Sequence, residues 1–411
     1  MKVVYLTWGE TPRSYGVYGA QVLGQYVATH SLSMDDEFEF IAAVPVIHSG
    51  LARERFEYSE ELQRVKKKLE NIKLHWLPIF APQNIVNSNQ YTFHLFHIFS
   101  DYILFLKLRS LKPDIVHCRS YHAGWSAMQV KAKYGMQYKI IFDARGIWPE
   151  EVALKKGWGN TNRHYQFLKA VQKQIVENSD LTIVVSEPMK RYFRQLYSSP
   201  VKTVYLSAPT KSLRPMKDLK RTGDGVVFCY LGALARDTWH KPDELFRLYK
   251  HLKSVVPNSK LVIITTSDHN AIRESFSGIL EKDVLITQTK TVDELQALLS
   301  QADIGLMAYF NPKSVREICL AKSVLAVKTA EYLSAELPIL VNSFCGGAAE
   351  VVEKNEVGIA YNPNNFEELT SESILPLLDS VVKKRAGSVA SEFFDYRQNA
   401  KKYIEIYKEL V

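Results

Sequence analysis

The sequence predicts an α/β protein of two Rossmann-like domains facing across a cleft. Short β-rich apolar runs alternate with amphipathic stretches of helical length, the pattern of parallel βαβ units. The alternation is interrupted by the polar, basic stretch Thr210–Asp224 (TKSLRPMKDLKRTGD) and then resumes. A chain of 411 residues also suits two domains, at roughly 100–200 residues each.

In the first half, strands are expected at Val3–Leu6, Phe38–Val46, Leu74–Ile79, Ile115–Cys118, Ile140–Phe142, Leu181–Val185 and Val201–Leu206. Helices are expected at Ala20–His30, Gln90–Leu111 and His164–Asn178. After residues 210–224, read as a linker, strands are expected at Val226–Leu231, Leu261–Thr265, Val284–Ile286, Ile304–Met307, Ile339–Val341 and Gly358–Ala360. Helices there span Pro242–Val255, Val292–Gln301 and Thr329–Ala335. The domains are therefore expected at 1–209 and 225–391. A last amphipathic helix, about 392–411, is able to pack back on the first domain.

Lys and Arg number 52 and Asp and Glu 44, a formal charge of +8. That excess suits phosphate-rich partners: a nucleotide, an anionic lipid surface or a nucleic acid. Dispersed charge with no basic helix disfavours the nucleic acid. The cysteines Cys118, Cys229, Cys319 and Cys345 form no CxxC pair, so neither a disulfide framework nor a metal site is expected and a reducing compartment fits. The N-terminus MKVVYLTW reads as a first strand rather than a signal peptide. No run of about 20 apolar residues predicts a membrane span. Residues 91–111, interrupted by His94, His97, Asp101, Lys107 and Arg109, read as a core helix in preference to an interfacial one. The expected location is cytoplasmic, with peripheral contact to an anionic inner leaflet through Lys66, Lys67 and Lys68 as one option and a solvated helix face as the other.

The first βα turn, WGETPRSYGVYGAQVLG, lacks the tight G-x-G-x-x-G of dinucleotide binding, which disfavours a dinucleotide-dependent oxidoreductase. Its Gly16 and Gly19 still let a ligand approach the backbone. HCRSYHAG places Arg119 and His122 beyond a strand end, where α/β proteins bind ligands, whereas His117 within the strand should bond internally. FDARGIWPEE gathers Asp143, Arg145, Trp148, Glu150 and Glu151 in one loop. Carboxylates and Arg suit sugar hydroxyls, and an indole can stack on a pyranose face. In the second half, Gly232 follows a strand, and Arg236 and Lys241 precede a helix that offers N–H donors to a diphosphate. The strongest segment is VKTAEYLSAELPILVNSFCGGAAEVVEKNEVGIAY. Lys328 and Glu331 share one helix face near its start, suited to phosphate and ribose respectively or to an ordinary salt bridge; Tyr332, Gly346, Gly347 and Glu350 follow.

These last motifs, with ADIGLMAYF, resemble the nucleotide-sugar domain of the retaining family 4 glycosyltransferases of the GT-B fold. SYGVYGAQVL, DIVHCRSYHAG, FDARGIWPEE and SDLTIVVSEPM are similar to the acceptor domain of bacterial members that build capsule and O-antigen polysaccharides. The resemblance implies glycosyl transfer with retention, from a nucleotide-sugar co-substrate to a glycan or lipid-linked acceptor, with no cofactor and no bound metal. Glu331 matches the second glutamate of the Glu-x7-Glu motif, a ribose ligand; Ser323 stands where the first would be. Ala233 stands where relatives carry the arginine of a Gly-Arg pair, so Arg236, His240-Lys241 or Lys328 would supply that charge. The resemblance then gives His122, Lys328, Arg236 and Lys241 catalytic roles. Gly232, Glu331, Tyr332, Ser323, Gly346, Gly347 and Glu350 would bind donor; Gly16, Gly19, Arg119, Asp143 and Arg145 would bind acceptor. A non-catalytic nucleotide-sugar or polysaccharide-binding subunit, favoured by Ser323 and Ala233, and a sugar-nucleotide epimerase of the same fold are the alternatives.

Overall fold

A computed structural model describes residues 1–10, 12–14, 16–47, 53–82, 89–216, 225–235, 239–276 and 283–411. The apolar runs form two parallel sheets. The first contains β1 (Lys2–Trp8), β2 (Glu37–Ile47), β3 (Lys73–Pro82), β4 (Ile115–Arg119), β5 (Lys139–Asp143), β6 (Leu181–Val184) and β7 (Val201–Thr203), in the order β3-β2-β1-β4-β5-β6-β7. The second contains β8 (Val226–Leu231), β9 (Ser259–Ile264), β10 (Val284–Thr287), β11 (Ile304–Met307), β12 (Ile339–Asn342) and β13 (Gly358–Tyr361), in the order β10-β9-β8-β11-β12-β13. In each sheet the order reverses beside the first strand, between β1 and β4 and between β8 and β11. Ligands of open α/β sheets bind at the carboxyl ends of such strands.

Contacts divide the chain into one unit of Met1–Tyr205 with Tyr396–Val411 and another of Leu206–Asp395. The helix Tyr396–Leu410 belongs to the first because its apolar stripe, Tyr403, Ile406 and Tyr407, enters the core formed by Tyr5, Tyr26, Phe38 and Phe40. The expected single helix over 392–410 is two: Ser380–Phe393 ends, Phe394 and Asp395 break the run, and Tyr396 starts the next. Asp395 is held there by Thr210, whose hydroxyl donates to its carboxylate at 2.8 Å. Of the stretch read as a linker, 210–216 is described: Leu213 is buried and the Met216 N–H donates to Ser300.

The expected helix Ala20–His30 starts as a wide π-helical turn, Gly19–Gly24, and becomes regular over Gln25–Leu32. A side chain at Gly19 would put its Cβ 2.3 Å from the Ser14 carbonyl oxygen, so glycine admits the preceding loop. The helix Gln90–Leu111 matches its expected span, closed at the start by a capping box of Asn89 and Thr92. Helices absent from the sequence reading include Ser120–Tyr134, Trp148–Lys156, Glu187–Leu196, Val315–Ser323 and Gly346–Lys354.

Candidate functional site

In the second unit, the chain leaves β8 through Gly232, whose φ of +111° a side chain would strain. The Gly232 N–H donates to the Ile264 carbonyl at the end of neighbouring β9. The helix Val327–Ser334 begins beside this turn. Its cap, Ala326, offers no side-chain acceptor, so among the described residues no side chain caps the positive end of the helix. Lys328 is the second residue of that helix, and helical side chains lean toward the N-terminus. Its Nζ donates to the Tyr230 hydroxyl at 3.0 Å and sits 4.2 Å from that ring's centroid. A Cβ on Gly232 would lie 3.3 Å from the same Nζ. Tyr230 in turn donates to the Ala233 carbonyl at 2.6 Å, so one buried tyrosine on β8 fixes both the turn and the lysine.

Lys328 is 7% exposed. Burial pulls its ammonium down to about 7, opposed by the charge of Glu331 one helical turn on. Burial likewise lifts the Glu331 carboxyl to about 7, opposed by Lys328. His240, buried against Tyr230 and Tyr309, is held well below the usual imidazole range by burial and then by the Lys328 charge. Among the described residues Lys328 and Glu331 form no ion pair, so the ordinary surface salt bridge does not describe them. Lys328 and Glu331 stand one helical turn apart without direct contact, each open to a ligand group of opposite sign.

The structure gives other expected donor residues different tasks. Tyr332 is fully buried; its hydroxyl accepts from the Leu231 N–H at 2.6 Å and donates to the Leu306 carbonyl at 3.2 Å. Bonded to both β8 and β11, it positions the two strand ends. Gly346 packs against the backbone of Lys322, where a Cβ would meet the carbonyl oxygen at 2.4 Å. The Gly347 N–H donates to the Val324 carbonyl at 3.0 Å. This glycine pair therefore seats one helix start on the end of Val315–Ser323. Ser323 donates to the Cys319 carbonyl at 2.9 Å. Glu350 pairs with Lys354 at 2.5 Å. Lys241 is partly exposed at the cap of Pro242–Val255, and Arg236 lies outside the described residues.

In the first unit the register sets Thr7, Arg119 and Asp143 side by side across β1, β4 and β5. Asp143 lies 3.5 Å from Arg145 and 3.8 Å from His117. Burial pushes its carboxyl up, but Arg145, His117 and Arg119 together outweigh burial and hold it below the ordinary range. His117 bonds internally, 2.7 Å from the Tyr407 hydroxyl. Arg119 faces Glu10 at 3.5 Å. Arg119 Nη1 and Asp143 Oδ1 are buried without a hydrogen-bond partner among the described residues, an unmet demand for polar company at the switch point. Ser120 (φ +69°) and Arg145 (φ +55°) are both left-handed without being glycine, just past the ends of β4 and β5. Arg145 also donates to Gln21 on the π-helical turn at 3.3 Å. Gly16, itself left-handed, has open space where a side chain would stand.

His122 sits on Ser120–Tyr134 in a chain of polar contacts that sequence reasoning missed. Its Nδ1 is 2.9 Å from His97 Nε2, and His97 Nδ1 is 2.9 Å from the Ser126 hydroxyl. Ser126 donates to Asp101 at 2.5 Å. Trp8 stacks on both imidazoles, at 4.4 and 4.8 Å. The sequence carries the signal in His97 and Asp101, polar residues four apart in an otherwise apolar segment. Trp148, expected to stack on sugar, is buried against Tyr121 and His122. Glu150 accepts from Tyr165 at 2.6 Å. Burial pushes the Glu151 carboxyl up, and a Cβ on Gly146 would lie 2.4 Å from its Oε1. All three lie in the first turn of the helix Trp148–Lys156 and not in the loop that the sequence suggests. Lys68 is likewise turned inward, donating to the Ser14 carbonyl at 3.1 Å, which removes one cation from the 66–68 run.

Among known proteins, residues 47–208 match the family model "Glycosyltransferase Family 4", and residues 225–380 match "Glycosyl transferases group 1". No curated protein shows a significant sequence match. Sucrose-phosphate synthase from Thermosynechococcus elongatus is similar in structure at 15% identity and a TM-score of 0.66, over 100% of this chain and 98% of that one. The lipopolysaccharide outer core galactosyltransferase WaaB is similar at 14% identity and a TM-score of 0.64, over 100% of both chains. HepE from Anabaena, solved in complex with UDP, is similar at 12% identity and a TM-score of 0.62, over 100% of both. Two parallel sheets, two family matches in tandem and full-length likeness to these folds agree: the chain belongs to the glycosyltransferases of the GT-B fold, family 4 in its first half and group 1 in its second.

Proposed function

We propose that the protein transfers a glycosyl group, with retention of configuration, from a nucleotide-sugar to a hydroxyl of a glycan or lipid-linked acceptor in cell-surface polysaccharide synthesis. The observation that carries this reading is Lys328, buried over Gly232 at the β8/β11 switch point beside an uncapped helix start. A buried lysine held by a tyrosine, with no carboxylate in contact, is suited to the charge that builds on a departing diphosphate. Helix N–H groups add to it, and Lys241 and Arg236 are further candidates. Glu331, one turn along, is suited to accept from both ribose hydroxyls. In this reading the side chains and helix dipole do the work of charge neutralisation, so activity should survive a chelator. Residues Gly16, Gly19, Arg119, His122, Asp143 and Arg145 of the first unit are assigned to the acceptor side, Asp143 as the buried anchor of Arg145.

The test is a thermal-shift panel with UDP-, GDP-, CDP- and ADP-sugars, followed by a transfer assay with the sugar that binds. UDP-glucose is tried first because HepE was solved with UDP. Binding that weakens about tenfold or more in Glu331→Ala, together with turnover that falls more than affinity in Lys328→Ala, supports the reading. Affinity without turnover would favour the binding-subunit alternative, for which Ser323, engaged with its own helix, is the specific observation. No binding to any of the four classes would end the proposal.

A further inference from the structure

We infer that the outer face of the helix Gln90–Leu111 is a docking surface for an anionic lipid bilayer. Tyr91, Leu95, Ile98, Phe99, Tyr102 and Leu106 fall at intervals of three and four and so share one helix face. All six are between 47% and 66% exposed, along about 22 Å of axis. The opposite face, including Phe93, Phe96 and Leu104, fills the core. The helix is thus apolar on two sides, and the fold of this unit uses one. An apolar stripe of this extent on a free surface marks an interaction site.

Charge selects the occupant. The helix has one acid, Asp101, and it is turned inward onto Ser126. Its cations, Lys107 and Arg109, lie at one end of the stripe, with exposed Lys112 just beyond. Arg163 lies 5.5 Å over the Tyr91 ring at the other end. Aromatic and aliphatic side chains bordered by lysine and arginine suit the boundary between acyl chains and anionic headgroups. A second copy brought face to face by a two-fold axis would instead set these cations against each other. The inner side of the same helix carries His97, in contact with His122. Docking would therefore place the bilayer one helix diameter from candidate acceptor-side residues, a use that rests on the transferase reading above.

Sedimentation with phosphatidylcholine vesicles, with and without phosphatidylglycerol, tests this. The intact chain is expected to co-sediment with the anionic vesicles. Ile98→Glu/Phe99→Glu and, separately, Lys107→Glu/Arg109→Glu are each expected to lower that partition roughly tenfold or more. Ile98, Phe99 and Arg109 are exposed and Lys107 is half-buried, and an unchanged thermal unfolding midpoint verifies that each variant folds. Intact protein left in the supernatant, variants that bind like it, or a dimer dissolved by Ile98→Glu would each overturn the inference. The donor-induced thermal shift, read on the same samples, separates the failures. A donor shift without vesicle binding sinks the docking surface alone, and vesicle binding without a donor shift sinks the transferase reading alone.

Discussion

Donor binding should move protons, and the direction should reverse between pH 6 and pH 8. Burial brings Lys328 down from 10.5 and Glu331 up from 4.5, each to about 7. A diphosphate against Lys328 favours the ammonium, and ribose hydroxyls donating to Glu331 favour the carboxylate. At pH 8 Lys328 is mostly neutral and Glu331 mostly ionised, so binding takes up more protons at the first than it releases at the second. The net is an uptake of up to about one proton; at pH 6 the same reasoning gives a release of up to about one, with cancellation near pH 7. Titration calorimetry in buffers of different ionisation enthalpy measures the count directly. Lys328→Met should leave release alone and extend it to higher pH, since Glu331 loses the attraction that lowers it. Glu331→Gln should leave uptake alone. A proton count that keeps one sign from pH 6 to pH 8 in the intact protein would refute the reasoning. Stability supplies an independent reading. The folded pKa of Lys328 lies below its unfolded value, so its cost is full below pH 7 and is relieved as pH rises toward 10.5. The fall from 10.5 to about 7 bounds that cost at about 5 kcal/mol. Lys328→Met should therefore raise the Tm most below pH 7, the gain shrinking above it.

Gly232→Ala forces a side chain into a φ of +111° and toward Lys328; equilibrium unfolding should show a loss of about 1–2 kcal/mol or more, and donor affinity should fall with it. Trp148→Ala should cost about 3–5 kcal/mol in the same assay, as for a core aromatic, while any folded fraction keeps its acceptor KM; an acceptor KM that rises without loss of stability would return Trp148 to the sugar. His97→Phe keeps the stack on Trp8 but removes the contact to His122. Turnover should drop by up to about 10²-fold, with the donor Kd unchanged and the pH–rate profile altered. An unaltered profile would make His97 a packing residue only.

Much of this was legible in the sequence because parallel sheets write their strands as short apolar runs, and every expected strand is present. Helices were legible where one face meets water: Pro242–Val255 falls on its expected span, and Arg163–Glu177 lies within one residue of the expected His164–Asn178. The helix Ser120–Tyr134 was invisible for the opposite reason. It is buried on nearly every side, Gly124 included, where a Cβ would lie 2.8 Å from Ile175, so no polar face marks its period. Local pattern also misjudged the C-terminal helix, since Phe393 and Phe394 extend its apolar stripe in sequence while the chain breaks at Asp395 to reach Thr210.

Residue types and spacing alone determined the two α/β halves, the glycine turn at 232 and the Lys328–Glu331 face. What they left open was which polar side chains remain available, because a hydroxyl or carboxylate looks the same in a sequence whether it meets a ligand or a carbonyl from another strand. Only tertiary packing decided that Tyr332, Trp148 and Glu150 are spent inside the fold, that Tyr230 holds the lysine, and that His97 backs His122. Hydrogen-bonding capacity is finite and is allotted by contacts between residues distant in the chain, such as His117 and Tyr407, 290 positions apart.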